Sequence, residues 1–172
     1  MRSERTKNIE RELKPMASKI EAQKRRAMLN DLLSNTFNSI LRVEEKALDN
    51  KLTEGLTITE VHTMIAVGLY ESNPMSTVAI RLGVTLATLT TAINKLVRKG
   101  FIVRERDSED RRKVLIRLTK RGRQVYRVHH MFHNKMLSEA LADLSDQEEQ
   151  VLSSSLEKVK AFFDKNVDEK RL

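Results

Sequence analysis

At 172 residues with 40% hydrophobic but only 4% aromatic content, 5 glycines and 2 prolines, the chain is long enough for one ordinary core and its composition favours helix over turn-rich β structure. The absence of cysteine excludes disulfides, thiolate metal sites and thiol-based redox sensing, while no apolar run approaches the roughly 20 residues of a bilayer span and no secretory-signal stretch opens the chain, so a soluble, cytoplasmic protein without a membrane partner is expected. The net charge of +8 is segregated, with 13 basic and 4 acidic side chains in residues 95–127 and 9 and 4 in residues 1–26, the distribution of a polyanion footprint or of a solvated charged face.

Residues 1–26 hold few apolar anchors beyond Ile9, Leu13 and Ile20, and are expected to form a frayed or weakly helical basic extension. Beyond them Leu29, Leu32, Leu33, Phe37, Ile40, Leu41, Ala47 and Leu48 recur at three- and four-residue spacing. That pattern describes a long amphipathic helix, which Gly55 would close. Thr57 and Glu60 have the spacing of a capping box, opening a second helix with Val61, Met64, Ile65 and Gly68 on one face. Asn73 and Pro74 suit an N-cap and a first-turn proline, leading into a short helix with Val78, Ala79 and Leu82 apolar that Gly83 ends. Thr85 then caps residues 86–99, which Gly100 terminates. Two short helices joined by a tight glycine-containing turn form the helix-turn-helix signature.

Residues 101–104 and 113–118 alternate in the manner of two strands, and the loop between them is highly charged. Such a hairpin, too polar to pack inward, reads as a wing. Thr119 caps a long helix with Val125, Val128, Phe132, Met136, Ala140 and Leu144 apolar. Ser145 with Glu148 forms a second capping box, opening a last helix that carries Val151, Leu152, Leu156, Val159, Phe162 and Phe163. The expected fold is mainly α with a small β-hairpin wing. A winged helix-turn-helix region, 53–118, is flanked by helical dimerisation segments, 27–52 and 119–172, with 1–26 as the extension.

Successive helical residues turn by about 100°, which gathers Leu89, Ile93 and Leu96 on one side of the 86–99 helix. Ala87, Thr91, Asn94 and Arg98 face the other way, with Thr88 and Lys95 beside them. Small, hydroxylated, amide-bearing and cationic groups of this kind can enter a major groove and meet base edges. No acid occurs between Glu71 and Glu105, whereas an ordinary solvated face would tolerate some. In the wing, Asp110, Arg111, Arg112 and Lys113 form a second candidate DNA contact, since an arginine at a hairpin tip can enter a narrow minor groove. Asp110, two residues before Arg112, is placed to orient its guanidinium by a charge-assisted hydrogen bond. An enzyme is not expected, since no glycine-rich phosphate loop and no set of nucleophile, base and orienting group is present.

The run TITEVHTMI, with PMSTVAIRLGVTLATLTTAINKLVRKGFIVRERDSEDRRKVLIRL continuing into TKRGRQV, resembles the winged helix of the multiple-antibiotic-resistance-regulator (MarR) family and its Asp-x-Arg wing motif, here Asp110 and Arg112. The resemblance implies an obligate homodimer on a pseudo-palindrome of double-stranded DNA. It also implies a recognition helix in the major groove, Arg112 in the minor groove, and a ligand-responsive dimer interface. The segments FNSILRVEE, EVHTM, VTLATLTTAINKLVRKG and YRVHHMFHNKM are further similar to the fatty-acid-biosynthesis repressor (FabT) subfamily of Gram-positive bacteria. Similarity to that subfamily implies repression of type II fatty acid synthesis genes, with long-chain acylated acyl carrier protein as co-repressor and partner and its acyl chain as effector. The basic N-terminal extension, and Pro74 where Thr or Ser is usual, depart from the subfamily's pattern.

Met64, Ile65, Phe37, Ile40 and Phe132, together with His62, His129 and His133, are candidate walls of an effector pocket. An acidic carrier protein would need basic side chains at its mouth, for which Arg42, Arg81 and Lys135 are candidates. His129 and His133, four apart on one helix, could also hold a metal. Some relatives in the family sense zinc with a similar pair assisted by first-helix carboxylates, where this chain has Glu44 and Glu45. With no third ligand evident in the sequence, no metal or other cofactor is assigned, and a zinc-responsive regulator, or a regulator of another small-molecule response, stands as the alternative.

Overall fold

The computed structural model describes residues 2–48, 52–53, 55–107, 110 and 113–169. Among them are α1 (Arg2–Ala47), α2 (Ile58–Val67), β1 (Asn73–Pro74), α3 (Met75–Leu82), α4 (Leu86–Arg98), β2 (Ile102–Arg106), β3 (Val114–Leu118), α5 (Lys120–Ala140) and α6 (Asp146–Glu169). No single helix among the described residues is long and apolar enough to cross a membrane. The chain divides into two compact units, residues 1–60 and 61–172.

In the first unit, α1 is one continuous helix of 46 residues, so the basic extension is helical from Arg2 and runs without a break into the amphipathic helix. Its Glu, Lys, Arg, Gln, Ala, Leu and Met residues are strong helix formers, a preference that a search for apolar anchors does not see. α1 ends at Ala47 and not at Gly55. The Thr53 hydroxyl donates to the Leu48 carbonyl just past the helix end, and Gly55 occupies a left-handed turn position at φ +75° beyond it. The expected capping box is present: the Thr57 N–H donates to Glu60 Oε2 at 3.0 Å, and the Glu60 N–H to Thr57 Oγ1 at 3.2 Å. Two of the orphan donors that begin α2 are thereby satisfied.

In the second unit, Gly68 lies past the end of α2 at φ +93°, terminating the helix face it was expected to join. Asn73 and Pro74 also depart from expectation. They form an edge strand, Asn73 opposite Ile116 and Pro74 opposite Leu115, in an antiparallel sheet of order β1-β3-β2. Proline has no N–H to donate and is tolerated on such an edge. The Asn73 amide donates to the Val67 carbonyl at 2.8 Å and to Glu71 Oε2 at 3.0 Å, where an N-cap role had been expected.

The helix-turn-helix follows the expected plan. Gly83 adopts the left-handed conformation at φ 67°; its N–H reaches the Ile80 carbonyl at 3.0 Å and the Val84 N–H reaches that of Ala79 at 3.1 Å. Thr85 caps α4, its Oγ1 accepting from the Thr88 N–H at 3.1 Å. β2 and β3 pair from Ile102 opposite Leu118 to Arg106 opposite Val114. Val61, Met64, Val67, Val78, Leu89, Ile93, Leu96, Phe101, Ile102, Ile116, Leu118 and Val125 are buried, so the core lies behind the helix-turn-helix and the inner ends of the hairpin.

α5 starts against that core. Thr119 Oγ1 accepts from the Gly122 N–H at 3.1 Å, and the Thr119 N–H donates to the Phe101 carbonyl at 2.9 Å. A Cβ at position 122 would stand 2.3 Å from that same carbonyl oxygen, so only glycine allows the approach. α5 ends at Ala140, leaving Leu144 in the following turn instead of on the helix. The second capping box opens α6: the Ser145 N–H donates to Glu148 Oε2 at 2.9 Å and the Glu148 N–H to Ser145 Oγ at 3.4 Å. Donation from the Ser145 backbone and hydroxyl holds the Glu148 carboxyl below the usual glutamate range.

Candidate nucleic-acid interface

α4 buries Leu89, Ile93 and Leu96, and that anchoring turns its opposite face outward. Ala87, Thr88, Thr91, Asn94, Lys95 and Arg98 are all exposed. The Thr88 hydroxyl lies 2.9 Å from that of Thr85, and the Thr91 hydroxyl donates to the Ala87 carbonyl at 3.3 Å. Lys95 and Arg98 occupy the last turn, where positive charge complements the helix dipole. Since the first three positions are small, a flat surface can approach the α4 backbone closely at its N-terminal half and meet cations at its C-terminal half.

The wing lies alongside. Its loop is held by the Lys113 N–H donating to the Asp110 carbonyl at 2.8 Å, the Asp107 N–H donating to that of Lys113 at 3.1 Å, and the Asp110 N–H donating to Asp107 Oδ1 at 3.3 Å. Lys113 Nζ stands 3.9 Å from Asp110 Oδ2 in an exposed pair. Arg111 and Arg112 lie outside the described residues, and with them the expected orientation of Arg112 by Asp110.

Counting charge along the sequence did not separate cations available to a ligand from those engaged in the fold. Arg117 Nε donates to Glu105 Oε1 at 2.7 Å across the hairpin. That hydrogen bond, with the attendant ion pairing, lowers the Glu105 pKa and raises that of Arg117. Arg121 sits 4.3 Å over the Phe101 ring, Arg123 donates to the Leu118 carbonyl at 2.9 Å, and Arg127 donates to the Tyr70 hydroxyl at 2.8 Å. Arg104, which sequence reasoning passed over, reaches the Thr90 carbonyl of α4 at 3.5 Å. It also lines an open groove of about 360 Å³ with Pro74, Met75, Leu86, Thr90 and Lys113. Four separate stretches of chain build this groove, so no local pattern announces it.

The expected effector residues are only partly assembled. The His62 and His129 ring centroids lie 5.5 Å apart, those of His129 and His133 4.4 Å, and Phe132 stands edge-on to His133 at 5.7 Å. Met64 is completely buried in the core and Ile65 half-buried, while Phe37 and Ile40 belong to the first unit, where they are 64% and 37% exposed. Of the candidate docking cations, Arg81 is engaged within the fold, donating to the Ala66 carbonyl at 3.1 Å and standing 3.8 Å from Glu71. Lys135 pairs with Glu139 at 3.8 Å on an exposed face, and Arg42, on α1, donates to Ser39 Oγ at 3.3 Å.

Comparison with known proteins agrees with this architecture. A family model described as transcriptional regulator SarA/Rot matches residues 47–128. The structure of Streptococcus pneumoniae FabT in complex with DNA superposes with a TM-score of 0.76 at 36% identity, over 80% of this chain and 96% of that one. YkoM of Bacillus subtilis, an HTH-type transcriptional regulator, is 30% identical over 141 residues, covering 80% of this chain and 88% of YkoM. The similarity to YhjH of Bacillus subtilis, 32% identical, is confined to 80 residues, 46% of each chain. A MarR family transcription regulator at 16% identity shares the fold with a TM-score of 0.73. With its helix-turn-helix, wing and long flanking helices, the chain belongs to the MarR-type winged-helix transcriptional regulators.

Proposed function

We propose that this protein is a sequence-specific transcriptional repressor that binds a palindromic operator as a homodimer and controls type II fatty acid synthesis genes, long-chain acylated acyl carrier protein acting as co-repressor. The observation that carries the DNA reading is the exposed face of α4, six residues without an acid, set beside a basic hairpin. Its Asn and Thr side chains are suited to adenine edges and thymine methyls, and its Lys and Arg to guanine or phosphate. The homodimer reading is supported by apolar stripes left open in the single chain: Leu29, Leu32, Leu33 and Phe37 on α1, and Val151, Leu152, Leu156, Phe162 and Phe163 on α6, are all at least 39% exposed. Obligate dimer interfaces are apolar in this way. The lipid reading follows the likeness to FabT at 36% identity over nearly the whole of that chain.

The test is operator-length duplex binding by the purified protein, with and without a long-chain acylated carrier protein, against random duplex. A specific repressor binds its palindrome roughly 10³-fold or more tighter than random sequence; equal affinity for both refutes the repressor reading. Tighter binding with the acylated carrier, and not with the unacylated one, supports the lipid reading, and an unchanged affinity refutes it. Charge reversal at Arg42 or Lys135 that leaves co-repression intact removes that residue from the docking surface.

A further inference from the structure

α1 carries a second apolar row besides the stripe assigned above to the dimer. Ile9, Leu13, Met16 and Ile20 recur at intervals of four, three and four, on a helix that runs unbroken from Arg2 to Ala47. Strict four-three spacing is the narrow seam of a coiled coil; a helix that packs on a globular core or lies in a membrane surface carries a broader apolar face. The positions on the opposite side of the helix include Lys7, Arg11, Lys14 and Arg25, a side built for water. Pro15 interrupts neither the helix nor the row; it costs one backbone hydrogen bond. The seam and the dimer stripe face different ways. Leu29 lies nine residues beyond Ile20, about half a turn round the helix, and Leu33 and Ile40 share its side. Ile20 is 49% exposed and Leu29 57%. A partner that covers the 29–40 stripe therefore leaves the 9–20 seam open.

We propose that residues 9–27 form an antiparallel coiled coil with the same segment of a second homodimer, joining two dimers into a tetramer. The inference rests on the homodimer reading above and adds a separate contact to it. Charge selects another copy of this chain as the occupant. The seam is flanked by Glu10 and Glu12 in its first half and by Lys19, Lys24 and Arg26 in its second. Two such helices running in opposite directions and matched about Ser18 set Glu10 against Lys24 and Glu12 against Arg26, each twice, with one contact of Lys19 on its own copy. A parallel pair in register has as many attractions but twice the repulsion, with Lys19 against Lys24 on both sides. In the antiparallel register Met16 meets Ile20, Ile9 meets Ala27, and Leu13 meets the stem of Gln23. A membrane surface fits less well, since residues 1–27 hold no Trp, Tyr or Phe. The antiparallel pair is self-complementary, so two of them close a tetramer of D2 symmetry. A seam of under three heptads is marginal alone, and the second pair, formed within the same particle, gains from effective concentration. Two DNA-reading dimers are thereby held in one particle.

The experiment is sedimentation equilibrium of the full-length protein over a wide range of concentration. The expected result is a dimer that associates to four chains as concentration rises. Leu13→Glu and Ile20→Glu each place a charge in every seam and should raise the dimer–tetramer dissociation constant more than about a hundredfold. Both should leave dimers that bind a single operator duplex as the wild type does. Glu10→Lys alone should weaken the tetramer, and Lys24→Glu added in the same chain should restore it, a rescue that damage to the helix itself would not show. A wild type that stays dimeric at every concentration, a tetramer that survives both seam variants, or a seam variant that falls to monomers overturns the proposal. A wild type that is monomeric throughout overturns the homodimer reading and this inference with it. Dimers that do not associate but bind vesicles of phosphatidylglycerol and phosphatidylcholine, and lose that binding in Ile20→Glu, would overturn it in favour of a membrane surface.

Discussion

Gly122→Ala tests the packing that holds the wing to the body of the domain. Alanine ordinarily improves a helix over glycine by about 1 kcal/mol, so a reading based on propensity alone expects stabilisation. The structure opposes it. The new Cβ would lie 2.3 Å from the Phe101 carbonyl oxygen and 3.3 Å from the Leu118 side chain, and real Cβ contacts are essentially never under 3.0 Å. Backbone must therefore give by at least about 0.7 Å, the difference between those two distances. The same oxygen accepts from the Thr119 N–H at 2.9 Å and from its hydroxyl at 3.2 Å, so the movement loosens the cap of α5 as well. Overpacking costs about 1–3 kcal/mol and each weakened hydrogen bond about 1 kcal/mol. After the helix gain is subtracted, the net loss should be about 1–4 kcal/mol. Urea unfolding by circular dichroism measures it, at fixed protein concentration because association contributes to apparent stability. A variant as stable as the wild type, or more so, would refute the close approach of α5 to the start of β2.

Removing the cap of the reading helix by Thr85→Ala should cost about 1 kcal/mol in the same unfolding assay, since the hydroxyl satisfies the Thr88 N–H. Asn94→Ala should lower operator affinity by about 1–3 kcal/mol and relax base preference at one position, with little change in salt dependence; a uniform loss across sequences would mean that Asn94 meets phosphate only. Arg112→Ala should weaken operator binding through the minor groove, and an unchanged affinity would remove the wing assignment. The Glu105 carboxyl titrates below its ordinary value of 4.5 because Arg117 donates to it. Its depressed folded-state pKa adds stability that is present above the ordinary value and disappears as pH falls through the lowered one. Glu105→Gln should therefore lower Tm at neutral pH and not in acid; an equal difference at both would exclude the ion pair as its source.

The order of elements was legible because this chain marks its helix starts with side chains. Thr57, Thr85, Thr119 and Ser145 each stand where the structure begins a helix, and Gly83 and Gly100 take the left-handed conformation after α3 and α4. Leu89, Ile93 and Leu96 could likewise be assigned to the core, and the six outward positions of α4 to the surface, from helical periodicity alone. What sequence missed is non-local. The two-residue strand β1 exists only because β3 runs beside it, and Arg104, Thr90 and Pro74 meet in one groove from separate segments. Asn73 looked like a cap because Asn often is one, but its amide found the Val67 carbonyl six residues back. Met64 looked like a pocket wall because helical spacing cannot tell a residue lining a cavity from one sealed in the core.

The pairing of β1 with β3 has a mechanical consequence. Pro74 immediately precedes α3 and is opposite Leu115 in the middle of the hairpin, while α4 follows α3 across a turn clamped by Gly83. The first helix of the motif is thus tied through β1 to the middle of β3, and α4 follows from it, so the reading helix and the hairpin strands are held in one unit. In the proposed homodimer a signal would then act by altering how the two copies of this unit are spaced and angled, so that co-repression becomes a question of reach between half-sites, with the chemistry of base contact left the same.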